Sequence, residues 1–295
     1  MLYLFKNRFF CTDIFKHLYG KMTSLGYDTT RVIDEDHVDS RSLIDQYEGR
    51  DITLITSDHL NDNMDWYGQK AYSIRDCENI LKPKKKIFGI HDIGISIVDD
   101  VVDGYEVIIP DESWACLFKR FNNIKLHPLG HPKFIKHRSS TKYPAVFFVS
   151  SVYVYAKAEP KAFLKAFPLI FENKIPFKFP KYILSDGLID IVKNEGIQII
   201  DPNIETFDIL LQTDVAISNA NSSVGVEAAI AGCKSINIGW NYSPPSIFSK
   251  YDIISVNETN IGGLNQSHLE LVGGATSHSN MIFDIDKCIE IITRK

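Results

Sequence analysis

The sequence predicts an α/β fold of two domains, each built on a parallel sheet. Three observations carry this. Short apolar runs recur along the chain, and several are continuous rather than alternating, as strands buried on both faces are. Helix-like stretches separate them, and strand–helix alternation gives parallel βαβ units. The length of 295 residues suits two domains at about 150 residues each.

In chain order, the strand-like runs are Leu2–Phe5, Ile52–Ile55, Ile87–Ile90, Val107–Ile109, Val146–Val149, Ile197–Ile200, Val215–Ile217, Ser235–Ile238 and Ile253–Val256. Between them, Ile14–Leu25 has apolar residues at helical spacing and stops at Gly26. Lys161–Glu172, Leu184–Glu195, Thr206–Gln212, Val224–Ala231 and Ile285–Thr293 read the same way, with Gly196 and Gly232 closing two of them. A glycine just past a helix supplies the left-handed cap. A segment rich in Pro and His, Leu126–Tyr143, reads as the connector. The expected division is 1–140, 141–283 and a terminal helix at 284–295, which is open to crossing back to the first domain. In open α/β sheets a ligand sits outside the carboxyl ends of the strands. With two such domains, the site is expected in a cleft between the sheets.

Composition sets the frame. Hydrophobic residues are 44% and charged residues 23%, which excludes intrinsic disorder and collagen-like or coiled-coil chains. Five cysteines, Cys11, Cys77, Cys116, Cys233 and Cys288, are widely spaced with no C-x-x-C. This argues against zinc and a disulfide framework, and for a reducing compartment. No apolar run approaches the ~20 residues of a membrane span, and Lys6 and Arg8 interrupt the apolar start. A cytoplasmic protein, of a bacterial or a virus-infected cell, is expected.

Charge is segregated. Ser113–Ser185 holds 13 basic and 2 acidic residues, a net +11 against −5 for the whole chain, leaving −16 elsewhere. This points either to an anionic ligand or to a solvated basic face. The cluster Lys82 and Lys84 to Lys86 reads as solvated. Asp34-Glu35-Asp36 reads as a solvated turn rather than a metal-binding D-x-D.

The most informative segment is Asp208–Gly239. A strand runs into the polar loop Ser218-Asn219-Ala220-Asn221-Ser222-Ser223, and the loop opens a helix closed by Gly232. Free backbone N–H groups and the helix dipole there favour an anion. Ser222 and Ser223 add hydroxyls, Gly225 permits close approach, and Glu227 is placed to accept from a ribose diol. These features describe a nucleoside diphosphate site. The alternative is an N-cap serine and an acid favoured by the dipole.

This segment resembles the donor-binding segment of GT-B glycosyltransferases, most closely the capsule, teichoic-acid and surface-carbohydrate branch. The resemblance covers about 32 residues well and the rest by order of elements. It implies the GT-B architecture, two Rossmann-like domains facing a cleft. It implies a nucleotide-sugar donor such as a UDP-sugar, no metal and no cofactor beyond that co-substrate. Asn221, Ser222 and Ser223 would serve the pyrophosphate and Glu227 the ribose. Ser150 and Ser151, after the first strand of the second domain, match a turn near the donor phosphates. Ile175–Tyr182 matches an element in which the family carries a histidine; here the His is missing and Lys178 is retained to meet phosphate, with Lys181 as the alternative.

His91 ends an apolar run and precedes Asp92. A histidine there suits a general base for an acceptor hydroxyl, with Asp92 orienting it or acting as the base itself. The segment resembles the family's base-bearing segment but has Asp92 where the family has Gly. His127, His131 and His137 fall in the connector, where His131 is a candidate for facing the cleft. Nucleotide-loop, hydrolase-elbow, zinc-protease and dinucleotide motifs are absent.

The expected function is a metal-independent, inverting transfer of a sugar to a hydroxyl of a surface glycan. Three alternatives stand beside it: a transferase acting on a hydroxylated DNA base, a nucleotide-sugar epimerase, and a non-catalytic nucleotide-sugar-binding protein.

Overall fold

The computed structural model describes residues 1–9, 13–58, 60, 70–91, 102–136, 140–149, 168–181, 187–219, 222–239, 251–257 and 282–294. The chain divides into two units, Met1–Lys136 with Met281–Lys295, and His137–Asn280.

The first unit carries β1 (Leu2–Asn7), α1 (Lys16–Ser24), β2 (Thr29–Ile33), α2 (Ser40–Asp45), β3 (Ile52–Thr56), α3 (Ile74–Leu81), β4 (Lys85–Gly89), β5 (Glu106–Ile109) and β6 (Lys125–Pro128). Its sheet has the order β2-β1-β3-β4-β5-β6 and every pairing is parallel. Phe5, Ile55, Ile87 and Ile108 from the strands meet Phe15, Leu18 and Met22 from the α1 side. Cys288, Ile289 and Ile292 of the terminal helix join the same core.

The second unit carries β7 (Tyr143–Phe148), α4 (Pro168–Glu172), β8 (Phe177–Lys178), α5 (Gly187–Asn194), β9 (Ile199–Ile200), α6 (Thr206–Leu210), β10 (Thr213–Asn219), α7 (Val224–Ile230), β11 (Lys234–Gly239) and β12 (Ile254–Asn257). The terminal helix α8 (Ile285–Thr293) returns to the first unit. This second sheet is also all parallel, in the order β12-β11-β10-β7-β8-β9. Phe147, Phe177, Ile217 and Ile236 pack with Ile170, Leu188 and Val192. The α/β prediction of two Rossmann-like parallel-sheet domains holds. Gly26, Gly196 and Gly232 all take the left-handed conformation, φ +82°, +66° and +79°, as their places past helix ends require.

Several expectations change. The supposed connector begins as β6, the edge strand of the first sheet. Asp34 is not a solvated turn residue: it is 3% exposed, and its carboxylate takes the Lys6 ammonium at 2.6 Å and the Ser40 hydroxyl at 2.6 Å. Lys85 and Lys86 lie on β4 and are mostly covered; Lys85 donates to the Ile291 carbonyl near the end of α8. The basic Ser113–Ser185 stretch is split between the units, and Lys125, Lys174 and Lys181 pair with Glu106, Glu195 and Glu205.

Candidate functional site

A parallel sheet leaves a crevice where the chain, having run outward to one side, restarts on the other. In the second sheet β7, β8 and β9 run one way and β10 starts afresh on the opposite side of β7. The switch point is therefore between the carboxyl ends of β7 and β10. Ser150 and Ser151 follow β7 but lie outside the described residues, as does Asn221 after β10. Ser222 and Ser223 are placed, and each has a defined local role. Ser222 Oγ accepts the Val224 N–H at 3.3 Å. Ser223 Oγ donates to Glu227 Oε1 at 3.3 Å. Glu227 is 2% exposed, and a carboxylate that deep needs donors around it. The α7 backbone is pinned from behind by Ser235, whose hydroxyl donates to the Gly225 carbonyl at 2.7 Å.

Lys178 ends β8, opposite Phe148 of β7, one strand from this switch point. It is 4% exposed. Its ammonium donates to the carbonyls of Phe179 at 2.9 Å and Pro202 at 3.0 Å. Burial lowers its pKa to about 8, Lys181 pushes the same way, and Glu205 and Asp201 oppose.

The first sheet has its own switch point, between β1 and β3. A buried polar cluster occupies it. Asn7 Oδ1 accepts from the Ser57 N–H at 2.9 Å and the Ser57 hydroxyl at 3.1 Å. Asn7 Nδ2 donates to Asp13 Oδ1 at 3.3 Å. Arg31 grips Asp13 Oδ2 through Nε and Nη2, both at 2.7 Å. Burial raises the Asp13 pKa, against the pull of Arg31. Asp58 accepts the Arg8 N–H at 2.6 Å. His91, just past β4, sets Nδ1 against the Ser57 carbonyl oxygen, so it belongs to this cluster. Asp92 lies outside the described residues.

The connector histidines divide. His127 sits on β6 with Nε2 2.7 Å from Glu106 Oε2, and burial lowers its pKa. His131 is 1% exposed, edge-on to Phe134 at 5.0 Å, with Nδ1 accepting the Lys133 N–H. Burial holds His131 well below its ordinary pKa, Lys133 and His91 adding to this. His137 lies outside the described residues. Among the described residues no group of three or more His, Cys, Asp or Glu is placed to hold a metal ion, and no helix is long and apolar enough to cross a membrane.

Sequence reasoning missed Asn7, Asp13, Arg31, Ser57 and Asp58. For Asn7, Ser57 and Asp58 a signal was present: Asn7-Arg8 and Ser57-Asp58 are polar pairs one residue past the apolar runs Leu2–Phe5 and Ile52–Ile55, where a carboxyl edge lies.

No protein-family model matches the sequence and no curated protein matches it. Solved structures do. The spinosyn forosaminyltransferase SpnP matches with a TM-score of 0.55 and 12% identity over 99% of both chains. The wall teichoic acid polymerase TagF matches with a TM-score of 0.52 and 12% identity, over 99% of this chain and 88% of that one. A UDP-GlcNAc 2-epimerase from Neisseria meningitidis matches with a TM-score of 0.46 and 10% identity, over 99% and 98%. With two parallel α/β units in this order, the chain has the fold of the GT-B glycosyltransferases.

Proposed function

We propose that the chain transfers a sugar from a nucleotide-sugar donor to a hydroxyl of a glycan acceptor. The observation that carries this reading is Glu227, a buried carboxylate beside the Ser222–Ser223 turn at the β7/β10 switch point. A carboxylate there can accept both hydroxyls of a ribose, while the adjoining turn meets the diphosphate. The two serines divide the work. The Ser223 proton serves Glu227, whereas the Ser222 oxygen accepts a backbone N–H and keeps its own proton available to a phosphate oxygen. Ser150, Ser151 and Asn221 complete the phosphate side, and Lys178 supplies positive charge one strand away. Developing charge on the leaving diphosphate is stabilised by such fixed donors. His91 takes the acceptor proton, with Asp92 beside it, and in-line attack inverts the anomeric centre. The nucleotide sugar is a co-substrate, and the reading requires no resident metal.

Thermal shift with UDP, GDP, CDP, ADP and TDP, measured with magnesium and again in EDTA, tests this. One diphosphate should raise the melting temperature of the wild type. Glu227→Gln keeps the side-chain shape but loses the charge, and should weaken that ligand about 10- to 100-fold, since hydrogen bonds to charged groups contribute about 1.5–3 kcal/mol. No shift with any diphosphate, or equal affinity in the variant, overturns the donor site. A shift that vanishes in EDTA overturns the metal-free part.

A further inference from the structure

The polar cluster at the β1/β3 switch point does more than fill the core, because its last member is the histidine read above as the base. We infer that Asn7 is a positioning residue for His91, acting through Ser57; this rests on the proposed role of His91. Asn7 is fully buried. Its Oδ1 accepts both the N–H and the hydroxyl of Ser57, at 2.9 and 3.1 Å, and a third proton from Thr56 Oγ1 at 3.4 Å. Its own orientation is fixed in turn, since Nδ2 donates to Asp13 Oδ1. This determines which amide atom is the oxygen, because a carboxylate accepts only. Ser57 is thereby held by its N–H and side chain, and its carbonyl is aimed at His91 Nδ1.

A carbonyl oxygen cannot donate, so the neutral imidazole must carry its proton on Nδ1 and its lone pair on Nε2. Which ring nitrogen is basic is set by the hydrogen bond that the other one makes. Asn7 thus selects the nitrogen that acts as base. Its hydrogen bonds go to Ser57, Thr56 and Asp13 and none goes to the imidazole. It sets the tautomer from the far side of a single residue, and Asp13 with Arg31 anchors the chain of contacts at its buried end.

The test is ¹H–¹⁵N correlation of the imidazole in histidine-labelled protein, with His91 assigned by His91→Gln, at a pH where the ring is neutral. The wild type should show a protonated Nδ1 and a bare Nε2. Asn7→Ala should move a measurable fraction of His91 to the opposite tautomer. Asn7→Asp keeps the Oδ1 acceptor for Ser57 and, with one proton shared with Asp13 in place of the amide hydrogen, should retain the wild-type pattern. A wild-type His91 protonated on Nε2 overturns the inference, and so does an Asn7→Ala spectrum unchanged at His91. A tautomer lost as fully in Asn7→Asp as in Asn7→Ala also overturns it, because the acceptor would then not matter. If Asn7→Ala does not fold, Asn7→Leu, which keeps the volume but offers Ser57 no acceptor, is read in its place with the same outcomes. The readout needs no substrate, so failure of nucleoside diphosphates to bind leaves it standing.

Discussion

Replacing Lys6 by Met tests how the first switch point is held. Lys6 Nζ lies 2.6 Å from Asp34 Oδ2, and the two side chains are 1% and 4% exposed. The other Asp34 oxygen takes the Ser40 hydroxyl at 2.6 Å. Lys6→Met preserves length and apolar volume but leaves a carboxylate in the interior with its cation gone. Removing one partner of a buried pair costs about 3–5 kcal/mol, a large part of a typical stability of about 5–15 kcal/mol. The double variant Lys6→Met/Asp34→Leu removes both charges, and Ser40 Oγ still reaches the Lys70 carbonyl at 3.3 Å. It should recover most of the loss, since an apolar pair often equals a buried ion pair. Urea denaturation gives the magnitude, and hydrogen exchange read by mass spectrometry gives the place. Two units need not unfold together, so faster exchange should be confined to residues 1–136 and 281–295. A single variant that loses less than about 1 kcal/mol, or a double variant as unstable as the single, would refute the reasoning.

Two further outcomes are expected beside those for Glu227 and Asn7. A Cβ at Gly89 would stand 2.5 Å from Phe15 Cζ and 2.8 Å from Ile14 Cδ1, both in the core; Gly89→Ala should cost about 1–3 kcal/mol in denaturant unfolding, and a neutral result would mean that β4 and α1 are more loosely packed than described. Lys178 is held at about 8 against an ordinary 10.5, so between those values the unfolded chain binds a proton that the folded one does not, and stability rises with pH. The cost of the buried ammonium is therefore fully present below about pH 8 and gone above 10.5. Against Lys178→Met, the wild type should gain about 1–2 kcal/mol across that window; a flat difference curve contradicts the shift.

What was legible in the sequence follows the strength of each signal. Strands buried on both faces, such as Ile52–Thr56 and Thr213–Asn219, announce themselves through their apolar centres, Leu54–Ile55 and Val215–Ile217. β2 was missed because Thr29, Thr30 and Arg31 are only half-buried at the sheet edge, and β8 because its two residues lie between prolines. β6 was missed for both reasons, an exposed edge with Pro128 at its end. α3 was also missed, although its signals stand in the sequence: Ile74, Cys77 and Leu81 fall on one face, and Ser73 with Asp76 forms a reciprocal cap. Ser222, Ser223 and Glu227 were legible because they stand within six residues of one another. His91 was legible as well, but its grouping with Asn7, Asp13 and Ser57 was not, because separate strands and loops deliver them. Distance along the chain, not weakness of the chemistry, hid it.

The two sheets differ in strand order, yet they meet the same constraint. Parallel strands end with their carboxyl edges pointing one way, and only at the switch point does no crossover helix close the gap. In the second sheet that gap is lined by short side chains and one buried acid, suited to a rigid anionic group. In the first lie an amide, two carboxylates, an arginine and a histidine, each held by a hydrogen bond to a side chain or to the backbone. A site that binds needs donors facing outward; a site that moves a proton needs one group whose protonation is dictated from behind. The strand order sets the location in both units, and the proposed division of tasks rests on the side chains brought there.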